Sequence, residues 1–165
     1  MSMIIDGTNG LTFNNATTQN SGGKVLQVIN ATYSVGTATA SSTYTDTGLS
    51  ATITPLFSNS KILILGTING VFKQVYNVAA SVQLLRGSTS ICIPANGSAA
   101  YTNSTTNIDI GSVSCEYLDS PATTSATTYK FQFACITISG SPSGNVVYVQ
   151  DGSSTSTICL MEISA

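Results

Sequence analysis

No stretch of this chain keeps an apolar stripe through three helical turns. Short apolar runs are instead cut every few residues by Gly, Pro, Asn, Asp or Ser. The clearest run is Tyr129-Lys130-Phe131-Gln132-Phe133-Ala134-Cys135, where Tyr129, Phe131, Phe133 and Cys135 recur at every second position and so share one face of a strand. That face is predicted to be buried and the other to be wet. Comparable runs predict strands over 24–33, 37–46, 49–54, 61–68, 71–76, 78–86, 90–93, 108–117, 127–138, 146–150 and 157–163. Breaks at Gly48, Pro55, Gly87, 94–97, Ser120-Pro121, 140–144 and Gly152 fit hairpins and crossovers. The pattern predicts an all-β chain, an antiparallel β-sandwich of about eight to ten strands in two packed sheets, jelly-roll-like in count. No fixed-period repeat points to a solenoid or propeller.

Composition says what solvates such a fold. Of 165 residues, 24 are Ser and 24 Thr, whereas only 7% are charged and 42% are hydrophobic. A length near that of one ordinary domain, with this apolar content, supports a single real core. A mean hydropathy of +0.25 argues against a disordered Ser/Thr stalk. The surface is therefore expected to be wetted by hydroxyls and amides, which suits strands, where Thr fits the pleat.

The same composition excludes several functions. There is no histidine, so no Ser-His-Asp or Cys-His nucleophile pair, no imidazole metal ligand and no proton shuttle near neutral pH. Five scattered cations, Lys24, Lys61, Lys73, Arg86 and Lys130, cannot neutralise a run of phosphates, which excludes nucleic acid as a partner. The start, Met1 to Asp6, has no basic region followed by an apolar stretch, so no signal peptide is expected. No run reaches the roughly 18 apolar residues of a spanning helix. The expectation is a protein made in a cytoplasm, without membrane insertion. Cys92, Cys115, Cys135 and Cys159 are spaced by 23, 20 and 24 positions and form no CxxC pair, which argues against a zinc site. Each lies in an apolar stretch, so all four read as small hydrophobes within strands, with one or two disulfides as the alternative.

Chemistry-bearing clusters are sparse. Asp109, Glu116 and Asp119 form the one acidic cluster, and a carboxylate pair can hydrolyse glycosides. Asp109 and Glu116 differ by seven positions, however, so a continuous strand places them on opposite faces. Asp6-Gly7-Thr8-Asn9-Gly10 and Asp151-Gly152-Ser153 lack the carboxylates of a calcium loop and read as turns. Lys61, Lys73 and Gly22-Gly23-Lys24 lack a phosphate-binding loop. The N-x-S/T sequences at Asn15, Asn30, Asn96 and Asn103 are what this composition yields by chance. Tyr44, Tyr76, Tyr101 and Tyr148 could stack on sugar rings, although Tyr is also an ordinary strand residue. No catalytic residue, metal site or cofactor is expected.

Residues 1–23 differ in texture from the periodic body at 24–165, with the Ser21-Gly22-Gly23 hinge between them. Within the first segment, Ile4-Ile5 and Leu11-Thr12-Phe13 flank a turn-forming Asp-Gly and Asn-Gly stretch. The segment reads as an extended N-terminal arm. Its apolar residues Ile4, Ile5, Leu11 and Phe13 are the candidate anchors onto the body, a neighbouring subunit or a larger assembly, and a plain strand hairpin on the same domain is the alternative.

Several stretches carry a resemblance. They are 43–55 (TYTDTGLSATITP), 58–65 (SNSKILIL), 84–89 (LLRGST), 117–130 (YLDSPATTSATTYK) and 156–163 (STICLMEI), with the opening 5–13 (IDGTNGLTF) and 17–19. In these the chain resembles small virion surface proteins of tailed bacteriophages, the tail-fibre-like and capsid-decoration-like modules of marine phages and cyanophages. The resemblance covers about residues 24–165. It implies a non-enzymatic β-sandwich, often trimeric, that sits on a virion and touches major capsid protein, tail proteins or a host surface glycan. This chain departs from long fibres in lacking a repetitive shaft and in carrying its arm directly before one domain. The expectation is therefore a capsid decoration or short head-fibre protein, with a small receptor-binding tail-fibre protein as the alternative. In the second case, the loops at 94–107 and 140–144 would meet the receptor.

Overall fold

The computed structural model describes residues 24–99, 111–137 and 144–164 in full, together with the backbone of four short strands at Ile4–Asp6, Gly10–Thr12, Thr18–Gln19 and Ile108–Asp109. In chain order the strands are β1 (Ile4–Asp6), β2 (Gly10–Thr12), β3 (Thr18–Gln19), β4 (Val25–Tyr33), β5 (Thr37–Thr39), β6 (Thr45–Ile53), β7 (Lys61–Asn69), β8 (Phe72–Lys73), β9 (Val78–Arg86), β10 (Thr89–Ala99), β11 (Ile108–Asp109), β12 (Ser112–Asp119), β13 (Thr127–Thr137), β14 (Val147–Val149) and β15 (Ser156–Ile163). One turn of 3-10 helix, Asp151–Ser153, precedes β15.

The eight long strands form two antiparallel sheets, ordered β12-β7-β15-β4 and β10-β9-β13-β6, which bury a common core. Ile62, Ile64 and Ile68 of β7 with Ile158 and Leu160 of β15 supply one side. Leu49 and Ile53 of β6, Val82 and Leu84 of β9, and Tyr129, Phe131 and Phe133 of β13 supply the other. Burying each of these side chains stabilises the fold by about 1.5–3 kcal/mol relative to exposure. The period-two reading of β13 holds from Tyr129 to Phe133, with Lys130 and Gln132 half-exposed between buried rings; beyond it Ala134 is buried as well as Cys135, so the second face is covered there too.

Four short strands add a third sheet, β11-β8-β14-β5, so the described body has three sheets where two were expected. A further small sheet, β1-β2-β3, pairs the two extended pieces on either side of the predicted turn, Ile4 with Thr12, Ile5 with Leu11 and Asp6 with Gly10. The side chains of Ile4, Ile5 and Leu11, and the whole of Phe13, lie outside the described residues.

Two expected breaks fall inside strands. Gly48 does not end the strand, because β6 bulges there and resumes pairing beyond it: Lys130 faces Ser50, and Gln132 already faces Asp46. Gly48 takes the left-handed conformation at φ +87 that the bulge requires. Thr47 repairs the lost ladder, donating its hydroxyl to the Phe131 carbonyl at 3.0 Å and accepting the Leu49 N–H at 3.2 Å. Pro94 and Gly97 lie within β10, which tolerates them because it is an edge strand with three register shifts along its length. Conversely, the strand expected over 37–46 is two strands, and Gly111, at φ +90, separates β11 from β12.

Two glycines set how closely the sheets approach. A Cβ on Gly66 of β7 would fall within the Phe131 ring from the opposite sheet, and one on Gly48 would fall within the Tyr33 ring. Gly66→Ala is therefore expected to cost about 1–3 kcal/mol by overpacking. Urea unfolding should report a lower midpoint at unchanged slope, and the Gly66→Ala/Phe131→Leu double variant should lose less than the sum of the two single variants.

Candidate interaction surface

The two described carboxylates of the acidic cluster, Glu116 and Asp119, do not converge. On β12, Glu116 is exposed on the outer face, whereas Asp119, three positions on, is buried on the inner one. Both Asp119 oxygens are engaged by Arg86 Nη1 at 2.9 Å, and Oδ2 also accepts the Tyr129 hydroxyl at 2.7 Å. Burial, and then the Asp119 carboxylate, push the Tyr129 phenol far above its ordinary value, so it remains a neutral donor. The group locks β12 to β9 and β13 across the two sheets. The Asp109 backbone pairs with β8, and its side chain lies outside the described residues.

The tyrosines do not make a shared platform. Tyr44 bonds the Ser81 hydroxyl at 2.6 Å, and Tyr148 packs on Phe72 with ring centroids 5.4 Å apart. Tyr76 is half-buried, and Tyr101 lies outside the described residues, as do 100–107 and 140–143 of the expected receptor loops. Asp151-Gly152-Ser153 forms a closed turn in which Ser154 donates both its N–H and its hydroxyl to the Asp151 carbonyl.

A surface emerges elsewhere, from register. On the outer face of the β12-β7-β15-β4 sheet, Leu118, Leu63, Met161 and Val28 stand side by side across all four strands. Beside that row lie Glu116, Leu65, Cys159 and Asn30, and on its other flank Lys61, Ile163 and Val25. A bulge between Glu162 and Ile163 keeps both Val25 and Val28 on the outer face. Leu118 and Val28 are each 53% exposed and Val25 54%, so the row is open from edge to edge. Farther along, Ser114, Thr67, Thr157 and Thr32 form a hydroxyl row. Charge enters only through Glu116 and through Lys61, which donates to the Ser120 hydroxyl at 3.0 Å.

At the Val25–Ile163 end, the loop joining β6 to β7 presents Leu56 and Phe57, both more than half exposed. Buried Glu162 holds this loop. Its Oε1 accepts the N–H groups of Leu56 at 2.8 Å and Phe57 at 3.3 Å, and its Oε2 accepts Gln27 Nε2 at 2.6 Å. Burial pushes the Glu162 carboxyl up. Gln27 and the two backbone donors outweigh it and hold the group below its ordinary value of 4.5. Sequence reasoning missed this residue, because its partners lie more than 100 positions away.

No protein-family model matches the chain, and no curated protein sequence is similar to it. Among solved structures, its fold is similar to that of a chain in the crystal structure of the infectious bursal disease virus VP2 subviral particle, with a TM-score of 0.52 at 17% identity. That overlay covers 88% of this chain and 34% of the viral one, so this chain spans about a third of its neighbour's length. A structure of the Gx strain of the same virus overlays at a TM-score of 0.46 and 11% identity, over 88% of this chain and 41% of that one. At such identities the likeness is one of fold, and the fold is an antiparallel β-sandwich.

The Glu162 clamp has a pH signature. A carboxyl held below its unfolded value stabilises the fold above that value, and the contribution is lost as pH falls through the lower, folded one. Asp46, lowered chiefly by its hydrogen bond from Lys130, adds in the same direction. Urea midpoints are expected to fall between about pH 6 and pH 3. Glu162→Gln should be less stable than the parent at the upper pH and show a shallower fall.

Proposed function

We propose that this chain is a non-enzymatic structural protein of a bacteriophage virion, a capsid decoration or short head-fibre protein that works as a homotrimer on the particle surface. The observation that carries the reading is the open apolar row Leu118-Leu63-Met161-Val28 on a sandwich similar in fold to a chain that forms a viral particle. A face almost without charge loses little on desolvation when subunits pack, and a contiguous exposed apolar patch marks an interaction site.

The occupant proposed for the row is a second copy of the chain. Four strands about 4.8 Å apart, with the apolar row and its two mixed flanking rows about 7 Å apart, make a face of roughly 400 Å². That is about half of what each partner gives to a standard interface. Leu56 and Phe57 at one end extend it. Strand order supports a jelly-roll-like body: numbered along the chain, the eight long strands run 1-8-3-6 in one sheet and 2-7-4-5 in the other.

In this reading residues 24–165 form the surface body, and residues 1–23 attach it to major capsid protein or to tail proteins through Ile4, Ile5, Leu11 and Phe13. Synthesis in the host cytoplasm and residence in the virion follow from it. Light scattering on the purified chain should give three times the monomer mass. Val28→Lys/Leu118→Lys should give a monomer with an unchanged far-ultraviolet spectrum, and a monomeric parent protein would overturn the self-association.

Replacing Ile4, Ile5, Leu11 and Phe13 together by Ser should leave the trimer intact and lower binding to assembled capsids at least tenfold. Full binding by that variant removes the arm from the proposal. Capture by tails or host cells, with none by capsids, moves the assignment to a receptor-binding tail-fibre protein.

A further inference from the structure

Two of the four cysteines meet where the sandwich is otherwise held by no strand pairing. Cys92 lies on β10, the edge of one sheet, and Cys115 on β12, the edge of the other, and these two strands are not neighbours in any sheet. Their sulfurs are 3.9 Å apart, with Cys115 donating its S–H to Cys92. The approach is made by the backbone. Register shifts on both sides of Cys92 break the alternation of β10, so that Ile91 and Cys92, consecutive residues, both pack against the core. Cys115 stays in regular pairing with Gly66 and is buried. Next to the pair, Pro94, Ala95, Ser112 and Ser114 line an open groove between the two edges. The other two thiols are placed differently: Cys135 donates to the Asn145 carbonyl at 3.7 Å, and Cys159 lies on the outer face of the opposite sheet.

We propose that Cys92 and Cys115 form a disulfide across this edge when the folded protein meets an oxidised small-molecule thiol such as oxidised glutathione, and that the bond clamps the two sheets together. Cys92, the more exposed of the two, reacts first. Its thiolate attacks one sulfur of the small disulfide, making a mixed disulfide and releasing one thiolate, which takes up a proton. Cys115 then loses its proton and attacks the Cys92 sulfur, expelling the second small thiolate, which is protonated in turn. Two protein thiols and one small disulfide become one protein disulfide and two small thiols. In the reduced pair, burial and the neighbouring Cys92 push the Cys115 thiol up to about 12; burial still disfavours its thiolate once Cys92 is in the mixed disulfide, so the second step is the slow one and quickens as pH rises.

The bond closes a loop of 23 positions and joins strands from different sheets, so it restricts the unfolded chain and fastens an unpaired edge in the folded one. The chemistry of the pair does not depend on the proposed function. On that reading, however, the thiols persist in a reducing cytoplasm and the clamp closes once the particle is released.

The test uses the full chain, incubated at about pH 8 with oxidised glutathione and then followed by intact mass, thiol titration in denaturant and peptide mapping. The expected product has lost the mass of two hydrogens, retains two of its four thiols, and yields one cross-linked peptide pair joining Cys92 to Cys115. Its melting midpoint should rise by about 5–10 °C and return on reduction. Cys92→Ala and Cys115→Ala should each abolish the shift. Four thiols remaining after oxidation, a stable glutathione adduct in place of the cross-link, or a cross-link through Cys135 or Cys159 would each overturn the proposal. Peptide mapping of the parent protein decides between these outcomes even where a Cys→Ala variant fails to fold.

Discussion

The spacing between the two sheets is set by the rings of β13, and most other features of the molecule are accommodations to them. Phe131 reaches so far toward the opposite sheet that the residue beneath it can only be Gly66. Tyr129 is buried with a hydroxyl that needs a partner, and Asp119, at the end of β12, supplies one at 2.7 Å while Arg86 closes the other side of the carboxylate. An aromatic ring contributes about 3 kcal/mol by burial, whereas a buried hydroxyl without an acceptor costs about 1–3 kcal/mol. The lock is thus comparable in size to the burial it permits. Arg86 is a third exposed, so solvent screens its share, and the buried charge-assisted hydrogen bond from Tyr129 carries the specificity.

With so few charges, hydroxyls take the part that ion pairs play elsewhere. Thr47 bridges the β6 bulge, and Ser156 accepts both the Asn69 N–H and the Gln150 side chain. Ser81, buried between two sheet neighbours, bonds Tyr44 on one side and the Ala95 carbonyl on the other. A hydroxyl can donate and accept within one short side chain, so it satisfies buried backbone at irregular points without the desolvation cost of a charge. The consequence is a surface with little electrostatic protection against self-association, which places the burden of specificity on shape and apolar matching.

What was legible in the chain was local. Alternation in β13 and β15, the apolar run of β7 and the N-terminal hairpin all reflect neighbours in sequence, and the structure has strands there. Gly48 and Pro94 misled because each was read as punctuation. A bulge uses the left-handed glycine, and an edge strand does not need the proline N–H, so both continue strands that propensity alone would end. The outer apolar row was illegible for a different reason. Leu118, Leu63, Met161 and Val28 come from four separate stretches and meet only through register, whereas Asp119 with Arg86 and Cys92 with Cys115 meet only where one sheet packs on the other, and Glu162 with Leu56 only where a loop folds over β15.

One contrast between strands connects this surface to assembly. Both β7 and β9 are apolar at consecutive positions, the pattern of a strand covered on two faces. For β9 the chain supplies the second cover itself: Ser41 bonds the adjacent β13 at Cys135, Tyr44 reaches over to Ser81, and eight of its nine residues are buried. For β7 no such cover exists among the described residues, and Leu65 remains exposed beside the Leu118 to Val28 row. Among the described residues, the same sequence signal is thus answered in one sheet and left open in the other. In the proposed reading another copy of the chain supplies the missing cover, and the near absence of charge on that face favours a partner equally poor in charge.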